Sequence, residues 1–316
     1  MPKKKLTIAL LSGGTSSERE VSLSSGIQVF EALDPDKYTV LRYDPRSDLP
    51  RLVADAARID AALIILHGAN GEDGTVQGLL DLLGIPYQGA GVLGSAVAMN
   101  KLAAKRLYEH AGLPIPAYAV VLRDQEIDPE ALAGRLGLPL VVKPVVGGSS
   151  VGISIVRRLE ELPAAVGSAF RQDAAVLIEA YIHGTEITGG VIGNDTLEAL
   201  PLIEILPTTG HEFFDYQAKY LPGASEEICP ARIDAELTAR AQRYAMEAHR
   251  ALFCRGYSRT DMMLRGRDIF ILETNTIPGM TATSLLPRAA RTAGMSFSRL
   301  LDRLIELSLE GRAAAR

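Results

Sequence analysis

The sequence predicts an α/β protein that begins with an open, parallel sheet wrapped by helices. Three observations carry this reading. Short, almost wholly apolar runs at 6–11 and 61–66 have the character of strands buried on both faces. Helix-like segments at 21–33, 52–57 and 76–83 alternate with them, the rhythm of parallel strands joined by crossover helices. Loops rich in glycine and polar residues, 12–20 and 67–75, follow those two strands. Ligands of open parallel sheets bind beyond the carboxyl ends of the strands. Runs at 38–43 and 85–88 supply a second and a fourth strand.

The bulk numbers narrow the class. A chain of 316 residues is long enough for two or three domains. Its net charge of −5, with both signs spread throughout, argues against a polybasic nucleic-acid or membrane surface. No apolar run approaches the roughly 20 residues that span a bilayer. The run at 6–11 is too short for a signal-peptide core, so a cytoplasmic location is expected. The two cysteines, Cys229 and Cys254, lack metal-type spacing and suit a reduced compartment.

In the first loop, Gly13-Gly14 lacks the Gly-x-Gly-x-x-Gly spacing of a dinucleotide fingerprint. Glu18 stands close to the next helix start. Its carboxylate can pair with a substrate ammonium, while nearby backbone N–H groups favour a substrate carboxylate. His67 ends a buried strand, either as a hydrogen-bonded structural histidine or as a pocket residue.

From 95 onward the pattern changes. A helix at 95–111 carries Lys101 and Lys105, and a strand follows at 118–121. After a helix at 131–136, the strand at 140–144 ends in Lys143, a costly place for an unpaired lysine. The small-residue loop 147–152 and a strand at 153–156 make a flap whose backbone N–H groups can close over phosphates. It is not a Walker A loop, because no Lys-Ser/Thr follows the glycines. A helix at 160–169 and a strand at 175–179 lead to Glu179, Tyr181, Ile182 and Glu186. An adenine ring needs apolar faces and backbone polar groups at its edge, and carboxylates suit ribose hydroxyls. Strands are expected at 187–192 and 200–205. The aromatic-rich stretch 207–224 is long and irregular, as lids are.

A helix at 231–252 precedes the part of the chain with the densest chemistry. Apolar runs at 262–264 and 269–272 flank Arg265-Gly266-Arg267-Asp268, which reads as a β-hairpin. Pairing Leu264 with Phe270 sets Asp261 opposite Glu273, and a slip of one residue leaves them neighbours. Asn275 shares the face of Glu273. These oxygens are either solvated strand ends or ligands for a hard divalent cation such as Mg²⁺. Helices at 284–294 and 297–309 close the chain.

Five motifs in order then carry a resemblance: GGTSSEREVSL at 13–23, HGANGEDG at 67–74, GSSVG at 148–152, FDYQAKY at 214–220 and ETNTIPGMT at 273–281. Over residues 6–309 the chain resembles the D-alanine–D-alanine ligases of the ATP-grasp superfamily. The resemblance implies a three-part ATP-grasp architecture. An N-terminal open parallel-sheet (Rossmann-like) domain, 1–95, precedes two α+β subdomains that clamp ATP: a central one, 96–186, and a catalytic one, 187–316, with the lid 207–224. The implied reaction is ADP-forming: ATP phosphorylates one D-alanine carboxylate, and the amine of a second D-alanine attacks the acylphosphate.

By the same resemblance, Asp261, Glu273 and Asn275 hold two Mg²⁺ (or Mn²⁺) ions. Lys101, Lys143 and Lys219 contact ATP phosphates under the flap residues Ser149 and Ser150. Glu179 and Glu186 hold the adenine amine and ribose, with Tyr181 and Ile182 on the backbone hinge. Arg259 stabilises the oxyanion. Glu18 binds the first D-alanine ammonium and links through Ser149 to Tyr220 on the lid. Ser284 and Leu285 receive the second D-alanine's carboxylate, and His67 joins the pocket. A homodimer through the N-terminal domain is implied, and a role for K⁺ is left open. One departure stands out. Val145-Val146-Gly147 occupies a stretch that is polar and charged in many relatives, so a less firmly anchored flap is expected. Two other readings remain: a depsipeptide ligase making D-alanyl-D-lactate, disfavoured by the Lys219-Tyr220 pair, and a non-catalytic ATP-binding regulatory module.

Overall fold

The computed structural model describes residues 5–148, 152–207 and 225–314. Ser149, Ser150, Lys219 and Tyr220, and the lid stretch beyond Pro207, lie outside the described residues.

Strand β1 (Leu6–Leu11) is the centre of a parallel sheet between β2 (Tyr38–Tyr43) and β3 (Ala61–Ile64). Both faces are covered, which explains the continuous apolar runs. Ile8, Leu10 and Leu63 pack with Val29 of helix α1 (Arg19–Ala32). Ala9, Leu11 and Ile64 pack with Leu52 of α2 (Leu49–Asp55) and with Val76 and Leu80 of α3 (Thr75–Leu82). The expected strand at 85–88 is reduced to one parallel bridge between Ala62 and Tyr87. Pro86 has no N–H with which to extend a ladder.

The helix expected at 95–111 is two helices, α4 (Val92–Met99) and α5 (Lys101–His110). The break falls at Asn100, whose ψ of 99° is extended and whose side chain accepts the Ala103 N–H as a cap. Asn100 also forms an antiparallel bridge with Val146, so the break stitches this helix pair to the flap stem.

The second sheet is antiparallel, in the order β4 (Tyr118–Leu122), β7 (Ala175–Ala180), β5 (Leu140–Pro144) and β6 (Ser154–Val156). Alternation divides its two faces. Leu140, Val142, Val176 and Ile178 form a core with Leu162 and Val166 of α7 (Leu162–Ala169). Leu132 and Leu136 of α6 (Pro129–Leu136) pack against that core. The other face carries Tyr118 paired with Glu179, and Glu179 paired with Val141.

The third sheet runs β11 (Ser225–Ile228), β10 (Ile203–Pro207), β8 (Thr185–Gly193), β12 (Gly256–Arg265), β13 (Asp268–Asn275), with β9 (Leu197–Ala199) pairing beside β8. Helix α8 (Ala235–Ala251) buries Leu237, Ala241, Ala245 and Ala248 against Ile187, Val191, Met262 and Ile271. Helices α9 (Leu285–Thr292) and α10 (Phe297–Ala314) follow. Leu300, Leu301 and Leu304 of α10 share the core of Ile8 and Leu10, so the chain's last helix serves its first sheet.

Candidate active site

The hairpin β12–β13 sets the site. Near its turn Leu264 pairs with Ile269, not with Phe270 as the sequence suggested, a register one residue away. A bulge between Asp261 and Met262 then skips Leu272 and restores the opposition of Asp261 to Glu273. Arg259 faces Asn275 one step further. Asp261 is buried and well bonded. Its carboxylate accepts from Arg259 Nε and Nη2, each at 2.8 Å, from Thr188 Oγ1 at 2.6 Å and from Asn275 Nδ2 at 3.0 Å. Glu273 is only half-buried and has no hydrogen-bond partner among the described residues. A carboxylate left open beside a second carboxylate and an amide suits a hard cation.

Behind the hairpin, Thr260 and Thr274 face the core. Tyr108 of α5 donates to Thr274 Oγ1 at 2.8 Å, and Thr260 and Thr274 share a 3.0 Å hydrogen bond. This hydroxyl chain ties the helix that carries Lys101 to the strands that carry Asp261 and Glu273.

The two N-terminal loops meet the hairpin from the other side. Ser16 Oγ donates to the His67 carbonyl at 2.6 Å and joins the loops. Glu18 is buried where Gly68 comes close, since a Cβ on Gly68 would lie 2.9 Å from Glu18 Oε2. Gly68 also has φ of +70°, so both sterics and backbone demand glycine there. His67 is buried, and desolvation pushes its imidazole toward the neutral form against the pull of Glu18. Its Nε2 has no partner among the described residues.

Glu72, which the sequence reading did not single out, lines the same cleft. Its Oε2 accepts the Gly68 N–H at 2.7 Å. Desolvation, helped by the charge of Glu18, pushes its carboxyl up to about 8. The available signal was its place within HGANGEDG, between glycines at a strand end.

One cleft of about 140 Å³ is lined by Glu18, His67, Glu72, Lys101, Arg259, Glu273, Asn275, Ser284 and Leu285, along with Gly147 and Gly148 of the flap. Ser284 is the N-cap of α9, and its Oγ accepts the Thr281 N–H at 3.1 Å. Cleft and helix N-terminus together favour a carboxylate. Glu227 of β11, also unforeseen, lines the cleft and pairs with Arg288 of α9 at 2.9 Å.

Lys143, Glu179, Tyr181, Ile182, Glu186 and Asp261 do not line this cleft. They lie along β5, β7, β8 and β12, with Tyr181 and Ile182 where the chain passes from the second sheet to the third. Tyr181 N–H bonds the Pro139 carbonyl at 3.1 Å, and Ile182 is buried. Glu186 sits on β8 opposite Met263 of β12. Glu179 differs most from expectation. Its carboxylate is closed between Lys143 and Lys105, with N–O distances of 2.7 Å to each. Burial pushes the carboxyl up, but the two ammonium groups overcome it and hold it below the usual range. The side chain expected at the adenine amine is thus also the partner of two lysines.

The flap stem is firmly held, while residues 149–151 of the flap itself lie outside the described residues. The Val145-Val146-Gly147 stretch carries no charged side chain of its own and is held through its backbone. Val145 is buried, its N–H bonds the Ala175 carbonyl at 3.2 Å, and its carbonyl accepts the Lys101 N–H at 2.9 Å. Val146 N–H bonds Asp173 Oδ2 at 2.7 Å, and Lys101 Nζ donates to the Gly147 carbonyl. Its own backbone groups, with Asp173 and Lys101 as partners, hold the stretch.

Comparison with known proteins agrees with this geometry. The family model "D-ala D-ala ligase C-terminus" matches residues 107–306, and "D-ala D-ala ligase N-terminus" matches 46–90. The D-alanine–D-alanine ligase of Syntrophobacter fumaroxidans is 66% identical over 98% of this chain and 100% of its own. The crystal structure of the Bacillus anthracis D-alanine–D-alanine ligase complexed with ATP superposes with a TM-score of 0.86 at 36% identity, covering 98% of this chain and 100% of that one. The VanG D-Ala:D-Ser ligase of Enterococcus faecalis superposes with a TM-score of 0.81 at 34% identity, covering 96% and 100%. With the family's two models matched in order, full-length identity far above the level at which folds are shared, and the ATP-grasp sheets in place, the chain belongs to the D-alanine–D-alanine ligase family.

Proposed function

We propose that this chain joins two D-alanines to D-alanyl-D-alanine at the expense of ATP, through a D-alanyl phosphate, as a step of peptidoglycan precursor synthesis. The observation that carries the reading is the single cleft in which Glu18, Arg259, Glu273 and the N-terminus of α9 face one another. It offers an anion for an ammonium, a guanidinium for a developing oxyanion, a free carboxylate on the metal face and a helix end for a carboxylate.

A carboxylate is a poor electrophile, and phosphorylation supplies the leaving group it lacks. In this reading Glu18 holds the first D-alanine by its ammonium. Arg259 stabilises the oxyanion formed when the second amine attacks. Ser284 and Leu285, at the start of α9, take the second carboxylate. His67, neutral and with an unpartnered nitrogen, offers a hydrogen bond to substrate. Lys101 and Lys143 serve the phosphates, together with Lys219 on the lid. Tyr181, Ile182 and Glu186 form the nucleotide side, and Ser149, Ser150 and Tyr220 link flap and lid over the substrates. Asp261, Glu273 and Asn275 would hold Mg²⁺ or Mn²⁺. The metal supplies neutralisation of charge on the transferring phosphoryl group. Arg259 pairs with Asp261 at 2.8 Å, so one carboxylate would be shared between the guanidinium and a metal ion held there. A homodimer belongs to the same reading.

Product analysis by mass spectrometry tests the proposal. The purified chain is given ATP, Mg²⁺ and D-alanine, alone or with L-alanine, D-serine or D-lactate. D-alanyl-D-alanine formed in step with ADP and phosphate is the expected result. A mixed product with D-serine or D-lactate, and none from D-alanine alone, would reassign the second subsite. Nucleotide binding without any product would leave the regulatory-module reading.

A further inference from the structure

Adenine binding alone does not account for two lysines at Glu179. Lys105 of α5, Glu179 of β7 and Lys143 of β5 form a chain of two ion pairs, each 2.7 Å long. All three side chains are buried, with 1%, 3% and 8% exposure for Lys105, Glu179 and Lys143. Tyr118 lies beneath Lys105, its ring centroid 5.2 Å from Nζ. The other acid facing Lys105, Glu109 on the same helix, is exposed and bonded to the Tyr118 hydroxyl.

Two ammonium groups share one carboxylate, so the cluster carries one positive charge in excess. Excess buried charge is costly unless a counter-ion arrives. The excess has one outlet. Lys105 is closed in on all sides, whereas Lys143 is the more exposed of the two, at the end of the strand that leads into the flap. An anion reaching the exposed side of Lys143 can therefore draw it away from Glu179 without leaving that carboxylate bare, because Lys105 stays on it.

We propose that Lys105 is a positioning residue for nucleotide binding: by neutralising Glu179 from the protein side, it leaves Lys143 free to turn to the phosphates of ATP. The proposal rests on the ligase reading above only in taking ATP as the anion.

Charge arithmetic gives the test. The native cluster is +1. Lys105→Met makes it 0 and ties Lys143 to Glu179. Adding Glu179→Gln to that variant returns it to +1, and Glu179→Gln alone makes it +2. The probe is a non-hydrolysable ATP analogue with Mg²⁺, titrated calorimetrically into the full chain, with thermal unfolding followed in parallel. K105M is expected to weaken binding about tenfold or more, and K105M/E179Q to recover most of it. E179Q alone should bind at least as tightly as the native chain. The KM for D-alanine should stay within about twofold throughout. A purely structural lysine would lower the unfolding temperature without this pattern of loss and recovery.

Native-like affinity in folded K105M, or no recovery in the double variant, would overturn the proposal. If K105M does not fold, E179Q decides. Weakening by more than about threefold would return Glu179 to the adenine and remove the role given to Lys105. Failure of the native chain to form any dipeptide would count against the ligase reading instead, since analogue binding is measured independently of it.

Discussion

The molecule keeps two charge clusters that solve the same problem in opposite ways. At Lys105–Glu179–Lys143 the charges are closed against each other in the second sheet, with a cation to spare. At Asp261–Glu273–Asn275 the hairpin holds one carboxylate with protein donors and leaves the other open to the cleft. The first cluster can accept an anion and the second a cation. On the proposed reading, a nucleotide with its metal would supply both.

The open carboxylate is where this contrast is easiest to break. Glu273→Gln removes the charge but keeps the shape, and turnover is expected to fall by about three orders of magnitude or more. Coupled ADP release measures the loss, while an unchanged unfolding curve shows that the fold survives. A variant retaining a tenth of native activity would mean that Glu273 is a solvated strand end.

The next effect is on stability. Arg259→Met strips Asp261 of a bidentate partner, and breaking such a buried pair costs about 3 kcal/mol. Urea unfolding should show it. Mn²⁺ is expected to stabilise this variant more than the native chain, because the metal takes the place left by the guanidinium. Equal stabilisation of both would separate Asp261 from the metal.

Glu72 sharpens the comparison through pH. Its carboxyl titrates near 4.5 in an unfolded chain and at about 8 in the folded one, so folding takes up a proton between those values. Its stabilising contribution is complete below pH 4.5 and is lost as pH rises through about 8. A tenfold difference in proton affinity between the folded and unfolded chain is worth about 1.4 kcal/mol. Between about pH 5 and pH 8 the native unfolding temperature should decline more than that of Glu72→Gln. Parallel curves would show that Glu72 is ionised in the fold.

The smallest effect lies behind the hairpin. Tyr108→Phe removes a hydroxyl from Thr274 and should cost about 1 kcal/mol in urea unfolding. A rise in the Mg²⁺ concentration needed for half-maximal turnover would accompany it if the hydroxyl chain holds the metal ligands in register.

Much of this was legible in the residues. β1 has the limits that its apolar run assigns it, because a strand buried on both faces can only be written in apolar residues. The opposition of Asp261 to Glu273 also follows from spacing, but by a route that spacing did not contain. The turn pairs one residue away from expectation, and the bulge at Leu272 corrects the count. The break at Asn100 escaped because the helical pattern runs through it. The cap on Ala103 N–H and the bridge to Val146 together give Asn100 a reason to leave the helix.

Local pattern and motif order therefore settle the strands, the loops at their ends, the family and most of the cleft lining. They do so because periodicity and backbone chemistry act over a few residues. The partners of Glu179, the high carboxyl of Glu72 and the backbone anchoring of Val145-Val146-Gly147 were decided by the tertiary structure. A charge has no fixed cost until the fold sets its distance from water and from other charges. Lys105 reads as one more surface lysine of an amphipathic helix until α5 lies on the second sheet. There, buried beside Glu179, it becomes half of an ion pair.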